Sequence, residues 1–155
     1  MALTAPIENV QRFFGDIISG PETHPKTSNE TTTGTPTAKT TGRNDLGGAP
    51  PKSYADWAWV QHMHSSMAAG TGRIAVVLPQ GALFRQGAEG RIRQAFLDAD
   101  LIEAVIGLAP NLFYGTGLAA SILVLRASKP EARKGKVLVV NGETLFKRGR
   151  NQNTL

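Results

Sequence analysis

The sequence predicts an α/β domain built around one sheet, and three observations carry that prediction. Residues 73–79 (RIAVVLP) form a short β-branched run of the kind buried in a parallel sheet. Residues 88–100 (AEGRIRQAFLDAD) bring Ile92, Ala95, Phe96 and Ala99 to helical spacing, with Glu89 placed to pair with Arg93 one turn on. Apolar runs at 101–108, 118–126 and 136–140 then follow in quick succession. Strand, helix and strand imply one right-handed crossover, and the close spacing of the later strands implies an antiparallel pair.

Composition limits the rest. A chain of 155 residues with 41% hydrophobic and 19% charged residues has room for one modest core. Seventeen basic against twelve acidic residues give a formal charge of +5, which permits a polyanionic partner without requiring one. The absence of cysteine excludes a disulfide framework and a thiolate metal site. No apolar run approaches the ~18 residues of a membrane span. The opening MALTAPIENVQRFFGDIISG lacks a basic start and is interrupted by Glu8, Arg12 and Asp16, unlike a secretory signal. A cytoplasmic protein is the expectation.

Three segments follow in order. In residues 1–20, Ile7, Val10, Phe13 or Phe14, and Ile17 outline a short helix over 6–18 with no further assignment. From Pro21 to Gly42 threonine dominates with no large apolar residue, so residues 21–45 read as a disordered linker that buries too little to offset its ordering entropy. Residues 46–155 form the folded domain. It opens with a helix, YADWAWVQHMHSSMAA, started by a capping box of Ser53 and Asp56 and stopped by Gly70 and Gly72.

Most short motifs have a structural explanation. His62 and His64 stand two apart on a helix and project about 200° from each other, so they cannot share a metal, and no metal site is expected. The GTG triplets at 70–72 and 115–117 do not lie between a strand and a following helix, as a phosphate loop requires. Arg85, Arg91 and Arg93 could meet phosphate, although a solvated helix face accounts for the last two. The loop between the runs LIEAVIGL and LAASILVL differs. It carries Leu112, Phe113 and Tyr114 in a row where loops are normally polar. Two readings stand side by side: the rings overlook a crevice at the carboxyl end of the strands and stack on an extruded base, or Leu112 and Tyr114 tuck under the loop.

The segments APPKSYADWAWVQHM, GRIAVVLPQGALFRQGAEGRIRQAFLDADLIEAVIGLAPNLFYGTGLAASILVL and KRGRNQNTL resemble the modification subunit of type I restriction systems, an adenine-specific DNA methyltransferase. The resemblance runs from about Arg43 to Leu155, and ADWAWVQH, LFRQGAEGRIR and NLFYGT are its most distinctive parts. It implies the second half of a Rossmann-like, S-adenosylmethionine-dependent sheet, parallel except for one antiparallel strand near the edge. It also implies methyl transfer from S-adenosylmethionine to an adenine amino group. DNA, the specificity and restriction subunits, and the preceding half of the methyltransferase become the implied partners.

By the same resemblance, Phe113 stacks on the target base beside Tyr114, and Asp56 and Trp57 lie near the cofactor. The family's glycine-rich cofactor loop and its catalytic Asn-Pro-Pro-aromatic motif are absent from these 155 residues, so no catalytic residue is assigned and a chain inactive by itself is expected. Ala109-Pro110 and Ala119 depart from the family's proline pattern around the loop and are expected to loosen it. The strand at Ile74–Leu78 is expected to lack one neighbour. A non-enzymatic module that binds a restriction-modification subunit is the alternative.

Overall fold

A computed structural model describes residues 2–6, 46–51 and 53–155. The expected helix over 6–18 and the threonine-rich linker lie outside these residues, apart from Pro6. The described chain is a mixed α/β fold with five strands: β1 (Ala2–Pro6), β2 (Arg73–Pro79), β3 (Ile102–Leu108), β4 (Ala120–Arg126) and β5 (Lys136–Gly142). Two helices accompany them, α1 (Asp56–Ser65) and α2 (Ala88–Asp98).

The spatial order is β1-β5-β3-β4-β2. β4 runs antiparallel to both β2 and β3, so β2 and β3 are parallel to each other with β4 inserted between them. The connection β2-α2-β3 therefore skips one strand position, and the β3-β4 hairpin fills the gap. β5 joins the far side of β3 in parallel and is flanked by antiparallel β1, a strand the sequence did not announce, so the described sheet has two antiparallel strands, β4 and β1, where one was expected. β2 is an edge strand, as the single missing neighbour of Ile74–Leu78 requires; it pairs with antiparallel β4 alone among the described residues and buries only Leu78, which corrects the expectation of a strand buried in a parallel sheet.

Apolar side chains from both helices meet on the sheet. Trp57 and Val60 of α1 pack with Ile92, Phe96 and Leu97 of α2 and with Leu123, Leu125, Val137 and Val139 of the strands. The Trp57 and Phe96 rings lie 5.5 Å apart between centroids, and His64 sets its edge against the same Phe96 at 5.2 Å. Gln61 donates to the carbonyls of Leu46 and Gly48, each at 2.9 Å, and ties the turn ahead of α1 to the helix. Only glycine fits at 47, because its φ is +82° and a Cβ would come within 2.4 Å of the Ile92 backbone.

Several local expectations need correction. α1 has Ala55 as its N-cap with no side-chain cap, so the Ser53–Asp56 box does not form. It ends at Ser65, ahead of Gly70, because the hydroxyls of Ser65 and Ser66 both donate back to the His62 carbonyl and compete with the next helical turn. Glu89 pairs with Arg85 one turn before it, and Arg93 instead donates to the carbonyls of Ala82 and Arg85. Ala99 is the exposed C-cap of α2, and Leu97 takes the buried place expected of it.

Candidate nucleic-acid interface

Because β2, β3 and β5 are mutually parallel, their carboxyl ends open on one end of the sheet. Three segments gather there: residues 80–85 after β2, residues 109–119 between β3 and β4, and residues 143–155 after β5. Each carries exposed apolar side chains, namely Phe84, then Phe113, Tyr114 and Leu118, then Leu145, Phe146 and Leu155. The charged residues at the opposite end are largely paired among themselves, as in the cluster of Arg73, Glu103, Arg126 and Arg133.

The aromatic loop is sharply defined. Asn111 takes a left-handed φ of +60°, a conformation that asparagine tolerates better than most residues, and Gly115 takes +78°. The Thr116 amide closes a turn onto the Phe113 carbonyl at 3.4 Å, and the Thr116 hydroxyl accepts from the Leu118 amide at 3.1 Å. Within this frame Phe113 is 42% exposed and Tyr114 90% exposed. Tyr114 therefore does not tuck under the loop, whereas Leu112 is half-buried, so that reading is set aside for Tyr114 alone.

The loosening expected from Ala109-Pro110 and Ala119 is not observed. Ala109 is buried, and the Ala119 carbonyl accepts from the Gln80 amide at 3.2 Å, fastening the loop to the end of β2. On its other flank the Asn153 amide donates to the Asn111 carbonyl at 2.7 Å. The Asn153 side chain donates to the Pro110 carbonyl at 2.9 Å. Asn153 belongs to a small terminal hairpin in which Lys147 and Thr154 exchange backbone hydrogen bonds at 2.7 and 3.0 Å. Sequence reasoning singled out KRGRNQNTL only as part of a resemblance and missed this contact, which spans 43 residues.

Asp56 and Trp57 stand apart from the aromatic loop. Trp57 is fully buried, with its indole N–H donating to the Ala82 carbonyl at 2.7 Å, so neither ring face is open to a ligand. Asp56 accepts from Arg85 at 2.6 Å. Arg85 also reaches Glu89 at 3.2 Å and lies 4.2 Å over the Tyr54 ring. The Asp56 hydrogen bond outweighs burial and, with Glu89, holds the Arg85 guanidinium above its ordinary range. Burial lowers that of Arg93 against the charge of Glu89. Arg85 and Arg93 thus lock the 80–85 turn onto both helices.

The glycine that follows β2 has a packing role. A Cβ on Gly81 would meet the Arg85 guanidinium at 3.0 Å, so the small residue there makes room for the ion pair. Among the described residues no group of His, Asp and Glu is arranged to hold a metal, and no helix is long and apolar enough to cross a membrane.

Comparison with known proteins gives consistent results. The family profile described as N-6 DNA Methylase matches residues 2–155. The chain is 49% identical over 99 residues to the type I restriction enzyme MjaVIII methylase subunit of Methanocaldococcus jannaschii, covering 64% of this chain and 17% of that protein. It is 44% identical over 102 residues to the MjaVII methylase subunit of the same organism, covering 66% and 17%. The crystal structure of the type I restriction-modification methyltransferase subunit from Streptococcus thermophilus superimposes with a TM-score of 0.66 at 35% identity, over 71% of this chain and 23% of that one. The chain therefore spans under a quarter of the length of these relatives.

Proposed function

We propose that this chain, which belongs to the N-6 DNA methylase family, supplies the target-base side of a type I DNA adenine methyltransferase. The observation that carries the reading is the braced loop at the carboxyl end of the sheet, with Tyr114 almost wholly exposed and Phe113 beside it. An exposed ring on a fixed loop offers a flat apolar face to a planar base taken out of a duplex. Phe113 is assigned the stacking contact and Tyr114 the rim of the pocket.

On this reading β2, β4 and β3 are the closing part of a Rossmann-like sheet, and β2 pairs with a strand preceding the catalytic loop. S-adenosylmethionine supplies an electrophilic methyl group to the adenine nitrogen. The residues described here contribute base placement. Asp56 and Trp57 act at one remove: the Asp56–Arg85 pair and the Trp57–Ala82 hydrogen bond fix the turn that anchors the aromatic loop through Gln80. DNA and the specificity and restriction subunits are the proposed partners, and the chain by itself is proposed to be inactive. An in-line transfer needs both reactants held near contact, and these residues hold one.

The test replaces the matching segment of a type I methylase subunit with residues 46–155 and measures DNA methylation. Phe113→Ala should lose about 1–3 kcal/mol of transition-state stabilisation, the usual value of one base–aromatic stack, while Phe113→Trp should be far milder. Equal activity of the alanine variant and the parent would remove the stacking role. Saturable micromolar binding of labelled S-adenosylmethionine to the chain itself would contradict the division of labour.

A further inference from the structure

The terminal hairpin carries Lys147, Arg148 and Arg150 within four residues, all exposed. No ion pair engages them among the described residues, whereas Arg73, Arg85, Arg126, Lys129, Arg133 and Lys134 are each matched to a carboxylate. Glu143 is the acidic residue on the same segment. Arg91 and Lys136 are likewise exposed without an ion pair among the described residues, but Lys147, Arg148 and Arg150 are the three that fall together on one tip.

The position of that tip is fixed. Lys147 and Thr154 close the hairpin, and the neighbouring Asn153 hydrogen-bonds the carbonyls of Pro110 and Asn111 at the base of the aromatic loop. Both contacts use backbone carbonyls of residues three or fewer before Phe113, so the hairpin and the ring are held as one body. A cation cluster at a set distance from a stacking ring is the arrangement that single-stranded or extruded nucleic acid presents in complement, with phosphates spaced along the strand beside the base.

We propose that the hairpin Lys147–Thr154 is a contact for the sugar-phosphate backbone of DNA, with Asn153 as the positioning residue that registers its cations to the aromatic loop. The registration rests on the reading of that loop as a base platform. The phosphate contact rests on charge and placement alone.

The experiment measures binding of the full chain to a fluorescein-labelled 20-base-pair duplex by anisotropy between 50 and 200 mM salt. Each phosphate contact adds about 0.9 to the slope of log affinity against log salt. Replacing Lys147, Arg148 and Arg150 together with glutamine should flatten the slope by about 2.7, so that the variant loses about forty-fold less affinity over that range than the parent. Lys134→Gln, a cation at the opposite end of the sheet, should leave the slope unchanged. An unchanged slope in the triple variant, or an equal effect of Lys134→Gln, would overturn the proposal.

Asn153→Ala keeps the charge and should leave the slope intact. In the hybrid methyltransferase it should reduce activity in the parent but add nothing in the Phe113→Ala background, because its effect passes through the ring. Additive losses would reject the positioning role. If Phe113→Ala were silent while the triple variant still flattened the slope, the base-platform reading would fail and the phosphate contact would stand.

Discussion

Glu103 makes the sharpest stability prediction. β3 is irregular there: Ile102 and Ala104 face the adjacent residues Leu125 and Val124, so Glu103 is an extra residue whose side chain is turned out of the regular alternation. That carboxylate is 5% exposed and accepts from Arg73 at 2.9 Å, Arg126 at 3.1 Å and Arg133 at 2.9 Å, joining β2, β3, β4 and the turn before β5. Arg73 and Arg133 are 59% and 61% exposed, so each pair counts at the surface value of up to about 1 kcal/mol. Arg126, at 30% exposed, makes a charge-assisted bond in the range of about 1.5–3 kcal/mol. Glu103→Gln should therefore destabilise the chain by roughly 2–4 kcal/mol at pH 7. Pulse proteolysis across a urea series reads this at low protein concentration, and a change under about 0.5 kcal/mol would refute the reasoning. The pH dependence gives a second check. Burial works to raise the Glu103 pKa, but the guanidinium groups of Arg126 and Arg73 prevail and leave it lowered. Its contribution is then complete above the ordinary carboxylate range and is lost as pH falls through the lowered folded value, so parent and variant should converge only below the ordinary carboxylate range.

Two further outcomes follow from the core and the edge. Trp57→Phe should cost about 1–3 kcal/mol, and Trp57→Ala about 3–5 kcal/mol, because the ring is fully buried and its N–H satisfies the Ala82 carbonyl; urea midpoints of the two variants give the comparison. Val77 lies half exposed on edge strand β2, whose outer side has no neighbour among the described residues, so Val77→Lys should reduce self-association of the chain in light scattering without changing stability in urea by more than about 0.5 kcal/mol. Unchanged association in that variant would show that β2 is not the adhesive edge.

What the sequence made legible was local. β2 coincides with RIAVVLP, and α2 with the amphipathic stretch after LFRQG, because β-branched runs and helical spacing express preferences decided within a few residues. The failures share one cause in the opposite direction. Ser53 and Asp56 have the spacing of a capping box, yet Asp56 found Arg85, 29 residues away, and a tertiary ion pair displaced the local bond. Glu89 likewise chose Arg85 over the Arg93 that helical spacing offered, because Arg93 was already occupied by the carbonyls of the 80–85 turn. The insertion of β4 between β2 and β3 is equally non-local, since hairpin spacing says that β3 and β4 pair but says nothing about what lies on β4's other side.

The aromatic loop joins both cases. Its rings stood out in the sequence because their chemistry contradicts their setting, and exposure at Tyr114 preserves that contradiction in the fold. What holds them out was invisible, because it depends on Gln80 from the end of β2 and Asn153 from the terminal hairpin arriving at the two ends of one loop. A chain that fastens both ends of an exposed apolar loop stabilises a surface that hydrophobic burial by itself would collapse. That cost is the strongest physical reason to assign the loop a ligand.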